Sequence, residues 1–173
     1  MKLAYTMAPG RGDTDLILAG LAETLAERGF VCCGTVQINT EHPGTGTCDM
    51  DVKVLPGGPV VRISQDLGRS ARGCRLDPAA LETAVGLAAA RLCEGADLLI
   101  VNKFGKHEAE GRGFRDVIAE ALTMDVPVLV GINALNLPAF EEFTGGLATA
   151  LPPERDALAA WVDEVACNPA AVA

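Results

Sequence analysis

Apolar residues along this chain fall into short runs divided by stretches with helical spacing. Residues 3–7 form a brief apolar strand. Leu16, Ile17, Ala19, Leu21, Ala22 and Leu25 then recur at helical intervals. That spacing predicts a helix from Thr14 to about Arg28, with Asp13 placed to cap it and Gly29 to end it. Residues 30–38 read as a second, largely buried strand, and 39–48 as a polar Gly/Thr loop. Two extended runs, 51–55 and 60–64, flank Pro56-Gly57-Gly58-Pro59, which is a hairpin signal. Residues 65–76 are arginine-rich and have no apolar face. Asp77-Pro78 opens the next helix, with Asp as N-cap and Pro at the first helical position. Residues 97–101 (DLLIV) then suit a central parallel strand. A helix over 113–124, a strand over 126–132, a short helix over 137–143 and a strand over 147–151 follow. A terminal helix over 153–166 turns Leu158, Trp161, Val162 and Val165 inward, and 168–173 read as a frayed tail.

Strands alternating with helices predict a single α/β domain over residues 1–167. Its expected form is a three-layer, mostly parallel sheet with one inserted β-hairpin. Ligands of such sheets bind off the carboxyl ends of the strands. The loops there are 8–13, 39–48 and 102–112, with 65–76 folding over them.

Composition narrows the function. The chain has 173 residues, is 49% hydrophobic and 4% aromatic, so its core is aliphatic. No apolar run approaches the roughly 20 residues of a membrane span, and the N-terminus lacks the shape of a signal peptide. A cytoplasmic protein with no membrane insertion is expected. A net charge of −9 argues against a nucleic-acid partner. Yet residues 62–75 carry a local +3 (Arg62, Arg69, Arg72 and Arg75 against Asp66). Residues 103–115 carry a local +2 (Lys103, Lys106, Arg112 and Arg115 against Glu108 and Glu110). Basic loops on an acidic body point to a small anionic ligand. None of the six cysteines forms a C-x-x-C pair. Cys32, Cys33 and Cys93 are expected in the core, while Cys48 and Cys74 lie in polar loops.

The chemistry concentrates in Thr6–Asp15, TMAPGRGDTD. Strand, glycine turn and helix make a phosphate-binding architecture, with N–H groups and a helix dipole directed at an anion. Against the Walker A pattern G-x-x-x-x-G-K-[ST] the fit is partial. Gly12 and Thr14 match the second glycine and the hydroxyl residue, but Met7 replaces the first glycine and Asp13 the lysine. Downstream, Leu98–Val101 resembles a Walker B strand, but Asn102 and Lys103 follow where acids belong. An amide is a poor magnesium ligand, and an ammonium accepts no proton from water at neutral pH. The expected fold is P-loop NTPase-like, with degenerate Walker A and Walker B elements.

The segment DLLIVNKFGKHEAEGRGFRDVIAEAL is similar to the stretch after Walker B in the small thermophilic nucleoside-triphosphatase family. That family's pattern is D-E-I-G-x-M-E followed by F-R and a helix, and Gly105, Glu108, Phe114 and Arg115 fall on matching positions. Over nearly its whole length the chain resembles a bacterial family related to those enzymes, in the motifs CDMD (48–51), RISQDLG (62–68), 70–77, NKFGKHEAEGRGFR (102–115) and NLPAF (136–140). The resemblance implies a P-loop-like fold and, through genes beside molybdate transporters, a role in molybdenum handling.

Three functions fit these features. The first is binding of molybdate, tungstate or a related oxyanion. Its ligand residues would come from Pro9, Gly10, Arg11, Gly12, Asp13 and Thr14, with Asn102 and cations among Arg69, Arg72, Arg75, Lys103, Lys106 and Arg112. The second is a Mg-nucleotide phosphohydrolase or kinase with a rearranged metal site using Glu108, Glu110 or Asp13. The third is a non-catalytic metallochaperone using Cys48 and Cys74. Enzymatic activity is not the favoured expectation, and a homodimer or higher oligomer fits any of the three. His107 reads as a solvated loop residue, Glu108 and Glu110 as partners of neighbouring Lys and Arg, and Asp49 and Asp51 as a solvated hairpin edge.

Overall fold

The structure, a computed structural model, describes residues 2–41, 48–65 and 75–166, without the side chains of 39–41 and 48. Seven strands form one sheet in the order β4-β3-β2-β5-β6-β1-β7. They are β1 (Leu3–Thr6), β2 (Cys32–Glu41), β3 (Cys48–Leu55), β4 (Val60–Arg62), β5 (Leu98–Phe104), β6 (Val128–Ile132) and β7 (Thr149–Leu151). Pairing is parallel from β2 through β5, β6 and β1 to β7. The hairpin β3–β4 adds two antiparallel strands beyond β2. The sheet is thus mostly parallel with an inserted hairpin, as the alternation predicts.

Six helices among the described residues complete the layers: α1 (Asp13–Glu27), α2 (Pro78–Cys93), α3 (Lys106–Ala109), α4 (Arg115–Thr123), α5 (Leu137–Thr144) and α6 (Arg155–Val165). Successive residues of a strand face opposite ways, so β5 feeds two cores. Leu98 and Ile100 pack with Leu18, Leu21 and Leu25 of α1 and with Leu158, Trp161 and Val162 of α6. Leu99 and Val101 pack with Ala84, Val85 and Ala88 of α2, Ile118 of α4 and Phe140 of α5. Both faces are therefore covered, which is why the central strands are apolar throughout.

Local chemistry sets the element ends. Asp77 caps α2, accepting from Ala79 N at 3.0 Å and Ala80 N at 3.1 Å, with Pro78 at the first helical position. Gly29, at φ +87, closes α1. Four expectations need correction. Asp13 does not cap α1; Gly12, left-handed at φ 84, occupies that position and Asp13 is already helical. The strands β2 and β3 reach to Glu41 and from Cys48, further than the polar residues suggest, because the ladder between them runs from Gly34↔Leu55 to Glu41↔Cys48. The short helix α3 stands where the sequence predicts a loop. Cys93 is exposed, whereas Cys32 and Cys33 are buried as expected.

One glycine governs the sheet's assembly. Gly34 of β2 has φ +104, and a Cβ there would lie 2.0 Å from the Ile100 carbonyl oxygen. No side chain fits between β2 and β5 at that point.

Candidate functional site

The chain leaves β1, passes through residues 7–12 and enters α1. Gly12 supplies the left-handed turn, and Leu16 N donates back to its carbonyl at 3.2 Å. Thr14 Oγ1 accepts from Ala8 N at 3.0 Å, so the hydroxyl ties the loop to the helix. Asp13 folds back over the turn: a Cβ on Gly10 would sit 2.0 Å from Asp13 Oδ2. The loop's shape thus depends on glycine at position 10.

Beside the loop, Asn102 lies at an irregularity of the β5–β6 ladder, which shifts register between Val101 and Phe104. Such breaks redirect side chains next to functional sites. Asn102 is 4% exposed, and both ends of its amide are bonded. Its Oδ1 accepts from Gln37 N at 2.8 Å, and its Nδ2 donates to Asp15 Oδ1 at 2.9 Å. Gly131 of β6 permits this closeness, because a Cβ there would lie 2.1 Å from the Asn102 carbonyl oxygen and 3.0 Å from Thr14 Cγ2.

A cavity of about 170 Å³ opens between these parts, lined by Gly10, Arg11, Gly12, Thr14, Asn102 and Lys103, with Asp15 and Asn133. Arg11 and Lys103 are exposed and make no ion pair among the described residues. A second cavity, of about 230 Å³, shares Asn102, Lys103 and Asn133 with the first. Its walls are largely apolar (Met50, Val52, Ile63, Leu76, Leu81 and Phe114), with Lys106 at its edge.

The other predicted residues lie elsewhere. Pro9 belongs to the turn but lines neither cavity, and Asp13 packs on Gly10. Lys106 and Arg112 both pair with Glu110, at 3.6 and 2.5 Å. The Arg112 hydrogen bond holds the Glu110 carboxyl below its usual range. Arg75 donates from Nε to the Gln65 carbonyl at 3.1 Å and lies 3.9 Å from Asp49, on the hairpin side. Arg69, Arg72 and Cys74, and the side chain of Cys48, lie outside the described residues. Among the described residues no three His, Cys, Asp or Glu side chains cluster as a metal site.

Several minor expectations change with packing. Asp49 and Asp51 are not a solvated edge but pair with Arg62 across the hairpin, at 2.8 and 2.9 Å. Glu108 is no surface ion-pair partner. It is 2% exposed, with Oε2 accepting from Gly105 N at 2.9 Å and Oε1 from Phe114 N at 3.3 Å. Burial raises its pKa while these donors oppose the rise. His107 is 5% exposed and bonds through Nε2 to Glu82 Oε1 at 2.6 Å, which lowers the Glu82 pKa. The pairing joins residues 25 apart in sequence, on α2 and α3. Sequence spacing alone carried no signal for it, nor for Asn133 or Asp15 in the loop cavity.

Residues 3–161 match a family described as "Protein of unknown function (DUF2478)". The chain is 37% identical over 160 residues to the Molybdenum import ATP-binding protein ModC 2 of Bradyrhizobium diazoefficiens. That alignment takes in 92% of this chain but 18% of the relative's length. Two solved structures share the architecture at 18% identity. The crystal structure of THEP1 from the hyperthermophile Aquifex aeolicus gives a TM-score of 0.64, over 95% of this chain and 96% of that one. The solution structure of a human cancer-related nucleoside triphosphatase gives 0.65, over 95% and 97%. The fold is therefore the α/β fold of those nucleoside triphosphatases, and among the described residues no helix is long and apolar enough to cross a membrane.

Proposed function

We propose that this chain, which belongs to the DUF2478 family, binds a small tetrahedral oxyanion at its Gly10–Gly12 loop. The observation that carries the reading is the pair Arg11 and Lys103. Both line the loop cavity at the N-terminus of the 15-residue α1, and neither has an ion-pair partner among the described residues. A helix N-terminus attracts anions through free N–H groups and its dipole. Two cations can supply the charge-assisted bonds that a Walker lysine supplies elsewhere. Molybdate and tungstate are the favoured anions, on the strength of the name of the ModC 2 relative. That name describes a protein of which this chain matches a small part, so it guides the choice of anion and no more.

Hydrolysis of a nucleotide is the less favoured reading. Asn102 spends its amide on Gln37 and Asp15, and a carboxylate, Asp13, rests on the turn where a lysine would reach phosphate. That carboxylate also opposes a dianion, which makes the two cations necessary to the reading.

Calorimetric titration with molybdate, tungstate, sulfate and Mg-ATP tests it. Molybdate or tungstate should bind and raise the melting temperature, since a ligand of the native state stabilises it. Replacing Arg11 and Lys103 together with Ala should weaken binding at least tenfold, as expected from losing charged hydrogen bonds worth about 1.5–3 kcal/mol each. The unliganded melting temperature should stay unchanged, because both side chains are exposed. Binding of Mg-ATP with no response to the oxyanions would replace this reading by the nucleotide one.

A further inference from the structure

We propose that the larger cavity is a separate binding site for a small aromatic compound bearing a ring hydroxyl or N–H group. The inference rests chiefly on Thr35 and His107, which line this cavity and not the loop cavity. At about 230 Å³ the cavity is smaller than the roughly 300–1,000 Å³ of sites for drug-sized molecules, and suits one ring or two fused rings. Apolar walls from Val52, Ile63, Leu81 and Phe114 provide the surface that a ring displaces water from.

Two buried polar groups on the lining have no hydrogen-bond partner among the described residues. Thr35 is 2% exposed, and its hydroxyl makes no hydrogen bond among the described residues. His107 is 5% exposed, and its Nδ1 has no protein partner there either. No fully enclosed side-chain nitrogen or oxygen among the described residues is left unbonded. Both residues line the cavity. Two buried polar groups beside an apolar chamber call for a bonding partner there, water or a ligand.

The imidazole is also oriented. Glu82 Oε1 accepts from Gly113 N at 2.9 Å as well as facing His107 Nε2. An oxygen already accepting there places a hydrogen on Nε2, and in its neutral form the ring offers Nδ1 as an acceptor. A ring hydroxyl or N–H donates to it. Near the rim Asn136 Nδ2 donates to Asn133 Oδ1 at 3.0 Å, and the Asn133 NH₂ and the Asn136 side-chain oxygen have no partner among the described residues, which leaves them for a second polar edge.

The test uses the full chain labelled with ¹⁵N at its two histidines, His42 and His107, assigned with a His42→Gln variant. Phenol and indole are titrated beside toluene and 1-methylindole, which keep the shape and lose the donor. Phenol or indole should move the His107 ring resonances and raise the melting temperature. The donor-less analogues should bind several-fold to about tenfold more weakly, since a site built for hydrogen bonding rejects an analogue that cannot make the bond. Thr35→Val, which keeps shape and removes the hydroxyl, and Asn136→Ala at the half-buried rim should each weaken binding several-fold. Thr35 does not line the loop cavity, so molybdate titration of Thr35→Val is the control that separates this site from the anion site. Equal binding of both probe classes, or no response of His107 at millimolar probe, overturns the proposal.

Discussion

Asn102 joins three elements through one amide, bonding β2 at Gln37 N and α1 at Asp15 while standing on β5. Restoring an acid there, Asn102→Asp, places two carboxylates at the 2.9 Å now spanned by a hydrogen bond. Like charges at that separation raise one pKa, so the cost is present at neutral pH and shrinks as pH falls toward about 4. Denaturant unfolding of Asn102→Asp at pH 7 should show a loss of about 1–3 kcal/mol, largely recovered in the double variant with Asp15→Asn. An unaltered midpoint for the single variant would show that the amide bridge contributes nothing. The position of Asn102 at the end of an apolar strand was readable from LLIVNK, but its partner was not, because Asp15 lies 87 residues away.

At the scale of elements, close backbone approach decides what packs. Gly34 sits at φ +104 with the Ile100 carbonyl where its Cβ would be. Gly34→Ala should therefore separate β2 from β5 and cost at least about 3 kcal/mol, combining left-handed strain with a backbone clash. Thermal unfolding checks this, with Gly29→Ala as reference: that site is also left-handed but has nothing within 4 Å of a Cβ. Equal losses at the two positions would remove the clash from the account. Helices with strong local signals, such as α2 with Asp77 and Pro78, were legible. The four-residue α3 was not, because it is held by the buried Glu108 carboxylate bonding Gly105 N and Phe114 N rather than by helical periodicity.

For the molecule as a whole, one sheet divides two cores, and adjacent cysteines report on both. Cys33 faces the α2–α4 side and Cys32 the α1–α6 side. Burial pushes each thiol up to about 12, with the neighbouring Cys33 adding to the rise at Cys32. Raised thiol pKa values favour the fold while the thiols stay protonated. That contribution is lost only as pH climbs from about 9 toward about 12. At pH 8, iodoacetamide followed by peptide mapping should modify the exposed Cys93 and spare Cys32 and Cys33 until denaturant unfolds the chain. Labelling of Cys32 at the rate of Cys93 without denaturant would contradict a sheet covered on both faces.

What the sequence determined on its own was local or periodic: apolar runs for central strands, the Asp-Pro start of α2, the Pro-Gly turn of the hairpin, and the strand–glycine–helix order around Gly12. These depend on neighbours a few residues apart, where backbone preference and hydrophobic period act directly. Tertiary structure alone decided that Asp13 lies on Gly10, that Asn102 meets Asp15, that Arg75 sits by the hairpin, and that His107 is buried against Glu82. Such contacts join residues whose separation along the chain carries no information about distance. They form because burial leaves each polar group only the partners that the packed sheet and helices bring within reach.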